Sequence, residues 1–364
     1  MIFLLLLVSV ALYLFFHFRS VFGGVRGTFF AAAILLVFAS GFFLREFFVG
    51  MVLNAVFTVW FCEAALVFLV WDIVRICRRI LVRRPLRVKA RLLGNRIAFV
   101  LGLFVCAVFF AVGVPQNDHY RIREQVVSLP SGSAPFTAVF FSDLHIDPLF
   151  SRQKLSRLAA DIDSVGPDLV LFGGDLADVS DSALRAEGYS ELFSRVVSGA
   201  GVGAFGVNGN HEAYMERSGS SPEDWMRANG MVVLDDSTAC LPKVCLTGRT
   251  DFVVAASRGT LRAGLSRLAP ADTSKPWIVL DHEPRGFEAD YAGRIPNLVL
   301  SGHTHNGQFF PATALIGLVW ELPAGFGTLS GAPWLVTSGI DSWGPPVRVG
   351  SNTEIWVLRF EPSL

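Results

Sequence analysis

Side chains able to bind a metal cation stand at the ends of five short apolar runs. The runs are Ala138-Val-Phe-Phe-Ser-Asp143-Leu-His145, Leu169-Val-Leu-Phe-Gly-Gly-Asp175, Ala204-Phe-Gly-Val-Asn-Gly-Asn210-His211-Glu212, Trp277-Ile-Val-Leu-Asp-His282 and Leu298-Val-Leu-Ser-Gly-His303-Thr-His305. The candidates include Asp143, His145, Asp175, Asn210, His211, His282, His303 and His305. A single Asp-x-His is commonly a surface turn, and a lone buried His is usually a hydrogen-bonded core residue. Of the seven histidines, however, only His17 and His119 lie outside these clusters, and carboxylates and imidazoles rarely converge so without a metal. A mixed oxygen and nitrogen set with no thiolate suits Mn²⁺, Fe or Zn²⁺ at a reactive centre better than a structural zinc.

Such donors need rigid elements to aim them. From about Val126 onward, short apolar runs alternate with Gly, Pro, Asp and Ser clusters and with helical stretches, which reads as α/β. Helices are expected at about Ser151–Ser164, Ser182–Ser198 and Pro222–Asn229. Buried strands that deliver polar residues at their carboxyl ends are how open α/β sheets build sites. The glycines before Asp175, Asn210 and His303 permit tight turns.

In their order, the blocks Asp-x-His, Gly-Asp-x-x-Asp, Gly-Asn-His-Glu, a lone His and Gly-His-x-His resemble those of the calcineurin-like metallophosphoesterases, over about Phe136 to Phe360. The resemblance implies a four-layer α/β/β/α sandwich that hydrolyses a phosphomonoester, phosphodiester or pyrophosphate at a two-metal site. One metal would be held by Asp143, His145 and His305, the other by Asn210, His282 and His303, with Asp175 bridging. Two cations roughly 3.5–4 Å apart lower the pKa of a bridging water, orient the phosphoryl group and neutralise charge in an in-line displacement. His211 would act on the leaving oxygen rather than as a ligand, oriented by Asp178; the alternative for Asp178 is a turn or a helix cap. The chain departs from the family at Ile146-Asp147, at Asn306 and at Asp281, none of which removes a ligand. Asn306 tolerates left-handed geometry, and Asp281 is expected beside the metal ligands, where it would shift metal preference. The closing Gly344-Pro-Pro-Val-Arg348 resembles the bacterial membrane-associated branch, which includes wall or membrane phosphoesterases and a UDP-2,3-diacylglucosamine hydrolase of lipid A synthesis. Substrate-binding residues cannot be named from these blocks.

The chain is 52% hydrophobic and 17% charged, too apolar for an ordinary soluble domain, and the excess lies before Gln116. Four stretches, about Ile2–Phe18, Thr28–Leu44, Phe47–Trp71 and Ile97–Val114, come near the ~20 residues that span hydrocarbon. An N-terminal bundle of about four transmembrane helices is therefore expected over residues 1–118, and a catalytic domain over 119–364. The basic residues of 75–96 mark a cytoplasmic loop, with Arg19 and Arg26 on the same side and only Arg45, beside Glu46, on the other. The catalytic part then lies outside the cytoplasm, at the plasma membrane. Within the loop, Arg83–Arg96 is either a short interfacial helix on anionic lipid or an orientation signal alone. Glu63, mid-span, either marks function or packs in protonated form.

Formal net charge is zero, but the anchor is basic and the remainder mildly acidic, so specific nucleic-acid binding is not expected. Membrane lipids and a phosphate ester, lipid-linked or wall-borne, are the expected partners. Readings of another class are a channel or transporter regulated by the domain, and a non-catalytic binding module, which ligand loss would have marked. Of five cysteines, Cys240 and Cys245 alone lie in the later part, and a disulfide across a hairpin is expected between them, with Met231–Leu234 and the residues around Val244–Leu246 as strands.

Overall fold

The computed structural model describes residues 2–44, 47–287 and 294–363, so Arg45 and Glu46 of the expected outer loop lie outside the described residues. It divides into two compact units, one of residues 1–114 with 344–347 and one of residues 115–343 with 348–364.

The first unit holds the apolar helices α1 (Ile2–Phe22), α2 (Gly24–Phe43), α3 (Phe48–Val82) and α4 (Val88–Asp118). Among the described residues, three stretches, Gly24–Gly41, α3 and α4, are long and apolar enough to cross a membrane; in α1 the shorter run Val8–Phe22 is apolar. The helices pack through aromatic side chains, Phe18 stacking on Trp60 at 5.2 Å between centroids. Both α3 and α4 outrun the apolar stretches that suggested them. Residues from Val88 to Arg96 are the opening turns of α4, so Arg83–Arg96 is not a separate interfacial helix; the chain breaks at Arg83, which is left-handed. Glu63 is buried, and its Oε1 has no hydrogen-bond partner among the described residues.

The second unit is two six-stranded sheets. The first has the order β1-β12-β2-β3-β4-β5, from β1 (Arg121–Leu129), β2 (Phe136–Phe141), β3 (Leu169–Phe172), β4 (Gly203–Gly206), β5 (Val232–Val233) and β12 (Glu354–Pro362). The second has the order β10-β11-β9-β8-β7-β6, from β6 (Ser237–Cys240), β7 (Cys245–Gly248), β8 (Trp277–Leu280), β9 (Leu298–Ser301), β10 (Gly325–Leu329) and β11 (Ala332–Val336). β2 to β5 run parallel, as do β7, β8, β9 and β11. Near-continuous apolar strands such as Leu169–Phe172 are required because both faces are covered.

Side chains alternate between the layers. Ala138, Phe140, Leu169 and Leu171 meet Leu246, Ile278, Leu280, Leu298 and Leu300 between the sheets. Val139, Phe141, Val170 and Phe172 face α5 (Arg152–Val165), α7 (Tyr189–Ser198) and α9 (Pro222–Ala228) through Leu158, Ile162, Phe193 and Trp225. On the outer face of the second sheet, Trp277, Val279, Val299 and Trp334 pack with Leu265 of the short helix α11 (Leu265–Leu268) and with Phe287. The layers are thus helices, sheet, sheet, and a thinner cover of short helices and loops.

The helix expected over Ser182–Ser198 is two, α6 (Asp181–Ala186) and α7, because Gly188 turns left-handed between them. Cys240 and Cys245 face each other in the β6–β7 hairpin and are joined by a disulfide. The partner strand is Ser237–Cys240; the Met231–Leu234 run instead supplies β5, on the edge of the other sheet. Closing so short a loop restrains little of the unfolded chain, so the bridge should contribute toward the low end of ~0–5 kcal/mol. Alkylation of the denatured, non-reduced protein is expected to modify Cys62, Cys77 and Cys106 only; five modified thiols would contradict the bridge.

Candidate metal centre

The expected donors follow strand ends, and at five of them the backbone leaves the extended region. Asp143, His145, Asp175, His303 and His305 all have positive φ, between 44° and 71°. Such geometry costs L residues energy and persists where the surroundings impose it, as at functional sites. Asn306 is left-handed too, as expected of its side chain. Of the three glycines singled out, only Gly174 has a left-handed φ, 99°. Gly209 is needed for closeness instead: a Cβ there would collide with Asp175 Oδ1.

The donor atoms converge. Nε2 of His145 lies 3.1 Å from Nε2 of His305, 3.9 Å from Oδ1 of Asp143 and 3.5 Å from Oδ2 of Asp175. On the other side, Nε2 of His282 lies 3.2 Å from the same Asp175 Oδ2, 3.3 Å from Asn210 Oδ1 and 3.3 Å from His303 Nδ1. Nδ1 of His303 is 2.8 Å from Asn210 Oδ1. Asp175 Oδ1 is taken by the backbone N–H of His211 at 2.9 Å, so Oδ2 is the atom between the two groups. Imidazole nitrogens facing each other at this range, with carboxylate oxygens beside them, are a donor set that fits cations: lone pairs pointing at lone pairs repel unless a positive charge stands between them.

Outward atoms hold these rings in place. His282 Nδ1 donates to the Gly173 carbonyl at 2.8 Å, which turns Nε2 toward the centre. His305 Nδ1 faces the Asp341 carbonyl at 3.2 Å. Arg348, fully buried, donates Nη1 to the His305 carbonyl at 2.8 Å and Nη2 to that of Asp341. The Asp341 carboxylate in turn accepts from the buried Lys154 at 2.7 Å, tying α5 to the site.

Asp178 serves two histidines. Its Oδ1 accepts from His211 Nδ1 and lies 3.4 Å from His145 Nδ1. Burial opposes its charge, yet His211 and His145 hold its pKa below the usual carboxylate range. Burial likewise opposes protonation of His211, but Asp175 and Asp178 raise its pKa above the ordinary value. His211 also comes within 4.8 Å of His145 and Asp175, close enough to reach a cation. Around it stand exposed aromatics, Tyr214 at 5.2 Å and Trp343 at 5.8 Å between centroids, while Trp320 lies 5.2 Å from His303.

Glu212 carried no expected role beyond its place in a block. It is fully buried, and its carboxylate accepts the backbone N–H groups of Gly209 at 2.6 Å, Leu176 at 2.6 Å and Asp175 at 3.2 Å. It therefore clamps the loop carrying Asp175 to the start of α8 (Asn210–Arg217). The available signal was a Glu three residues after the capping Gly209, as in a capping box. Lys154 looks like a surface cation in the sequence, and Arg348 stood out only as the end of the Gly344–Arg348 motif, with no bracing role expected of it.

Asp281 is not turned toward the donors. Its carboxylate is buried between Arg249 at 2.8 Å and Arg262 at 2.7 Å, whose guanidiniums lie over Phe287 and Phe252. An acid beside His282 thus serves a buried ion-pair cluster instead of metal preference. Asp281→Ala leaves two buried cations without their shared carboxylate and is expected to cost about 3–5 kcal/mol in urea denaturation. Unchanged stability with altered metal selectivity would return Asp281 to the metal centre.

A model of the calcineurin-like phosphoesterase family matches residues 136–307. A transmembrane protein with metallophosphoesterase domain from Danio rerio is 30% identical over 279 residues, 70% of this chain and 61% of the relative. The uncharacterized metallophosphoesterase Cj0846 of Campylobacter jejuni is 29% identical over 298 residues, 80% of this chain and 77% of the relative. Phosphodiesterase YaeI of Escherichia coli is 30% identical over 194 residues, 51% of this chain and 67% of the relative. The chain spans less than two thirds of the zebrafish relative and of a Helicobacter pylori metallophosphoesterase, 61% and 64% of their lengths.

Proposed function

Because the chain belongs to the calcineurin-like phosphoesterase family, we propose that it is a membrane-anchored, metal-dependent phosphoesterase acting on a membrane- or wall-associated phosphate ester. The observation that carries this reading is the convergence of donors from five strand ends on either side of Asp175 Oδ2. Asp143, His145 and His305 would hold one divalent cation and Asn210, His282 and His303 the other, with Asp175 shared. Bound there, two cations supply charge neutralisation and an activated water for in-line displacement of a phosphoryl group.

The chain's own residues contribute positioning and proton transfer. Asp178 accepts the hydrogen bond from His211 Nδ1, which fixes the tautomer and leaves Nε2 for the leaving oxygen. Tyr214 and Trp343, about half exposed at the mouth, offer apolar faces beside that imidazole and suit a leaving group with an apolar or planar part. Hydrolysis of an aryl phosphodiester and an aryl phosphomonoester by the full chain in detergent, with Mn²⁺, Fe²⁺ or Zn²⁺ added singly, tests the reading. Turnover that depends on metal is expected; no turnover of either ester with any metal would remove it.

Residues 1–118 act as anchor and 119–364 as catalytic domain in this reading, with the domain outside the cytoplasm. The basic connection between α3 and α4 supports that orientation, as does the Cys240–Cys245 disulfide, which persists in oxidising compartments. A cysteine introduced at Arg84 should then label only after permeabilisation. Labelling in intact cells would invert the topology and favour hydrolysis of a cytoplasmic nucleotide-linked lipid, as in UDP-2,3-diacylglucosamine.

A further inference from the structure

The basic ends of the apolar helices line an open recess of about 530 Å³ that the phosphoesterase reading does not use. Helical spacing builds it. Arg75 and Arg79 lie one turn apart on α3, Arg91 and Asn95 one turn apart on α4, and His17 and Ser20 on α1, and all six line the same space.

Its floor is fixed by hydrogen bonds. Asp72 accepts from Tyr13 at 3.1 Å and from Arg75 at 2.7 Å, and lies 3.1 Å from His17 Nε2. Asn95 accepts from Trp71 Nε1 at 2.8 Å and donates to Ser20 Oγ at 2.7 Å. The Asp72 carboxylate, the one acid in the lining, is thus engaged by three partners. The guanidiniums of Arg79 and Arg91 make no hydrogen bond or ion pair with any described residue. Three guanidiniums against one carboxylate leave uncompensated positive charge in a preformed recess. Phe16, Ile76 and Leu86 complete the wall with apolar surface.

We propose that this cavity binds the phosphate headgroup of an anionic phospholipid, with Arg79 and Arg91 on the phosphate and the Phe16, Ile76 and Leu86 side against the start of an acyl chain. Guanidinium pairs match phosphate oxygens in fork geometry, and basic pockets between membrane helices favour anionic headgroups. A free phosphate would use the same cations but not the apolar wall. A merely orienting loop would need no cavity.

The test uses the full chain in phosphatidylcholine nanodiscs carrying spin-labelled phosphatidylglycerol. A motionally restricted lipid component is expected that millimolar inorganic phosphate does not displace. Arg79→Gln with Arg91→Gln should weaken that association roughly 10- to 30-fold. Arg83→Gln with Arg84→Gln, an equal charge loss beside but outside the cavity, should change it less than about twofold. Arg79→Lys with Arg91→Lys keeps the charge but not the fork and should bind more weakly than the arginines yet clearly better than the Gln pair, which separates a headgroup effect from misfolding. Equal loss in both Gln pairs would reduce the effect to diffuse attraction, and displacement by inorganic phosphate would assign the cavity to a soluble anion. Either result overturns the proposal.

Discussion

Removing the Asp175 carboxylate, proposed to be shared by two cations, is expected to abolish turnover and metal occupancy together. In Asp175→Asn the side chain keeps its shape and still accepts the His211 N–H, and Asn tolerates the left-handed φ of 59° at this position. What is lost is the anionic Oδ2 that stands 3.5 Å from His145 Nε2 and 3.2 Å from His282 Nε2. His303→Ala acts on one side only, removing the nitrogen 2.8 Å from Asn210 Oδ1. Metal analysis of the purified variants should show depletion, with activity at background and the fold retained by circular dichroism. Full metal content with a near wild-type rate in Asp175→Asn would defeat the assignment.

His211→Ala should divide these two properties. With Asp143, His145, Asp175, Asn210, His282, His303 and His305 intact, metal content is expected to stay while the rate falls about 10²–10⁴-fold, the range for a positioned acid or base. Loss of an ion would move His211 into the ligand set, which its 4.8 Å proximity to His145 and Asp175 makes a real test. Asp178→Asn should not separate so cleanly. Because one oxygen faces both His211 and the outward nitrogen of His145, this variant should lose rate and also weaken metal binding by roughly 10–100-fold.

The donors were legible because five strand ends that each carry Asp, Asn or His after an apolar run seldom occur together without a shared cation. The five apolar runs became β2, β3, β4, β8 and β9. The elements that brace the site were not legible, for physical reasons. Lys154 and Arg348 become internal only through tertiary packing against Asp341, and no local pattern distinguishes a cation that will be buried from one that will be solvated. Asp281 misled for the opposite reason. Its neighbour His282 points at the centre, but just past the end of β8 the adjacent acid turns away, toward Arg249 and Arg262. The hairpin was misplaced by one strand because Met231–Leu234 is as apolar as the true partner is polar, and hydrophobicity cannot tell which sheet a two-residue strand will join.

The place of β12 in the first sheet bears on how the domain can be made. It pairs in parallel with β1 along its full length and antiparallel with β2, so it fills the gap between the first two strands although it follows every other described strand in the chain. While the chain is emerging, β1 and β2 must wait side by side with open edges, and the donors at the tip of β2 hang on an incomplete sheet. Open edges invite pairing with the wrong neighbour. Completion of this sheet therefore waits on β12, and a nascent chain halted short of Glu354 would expose two open edges while every proposed metal ligand is already made.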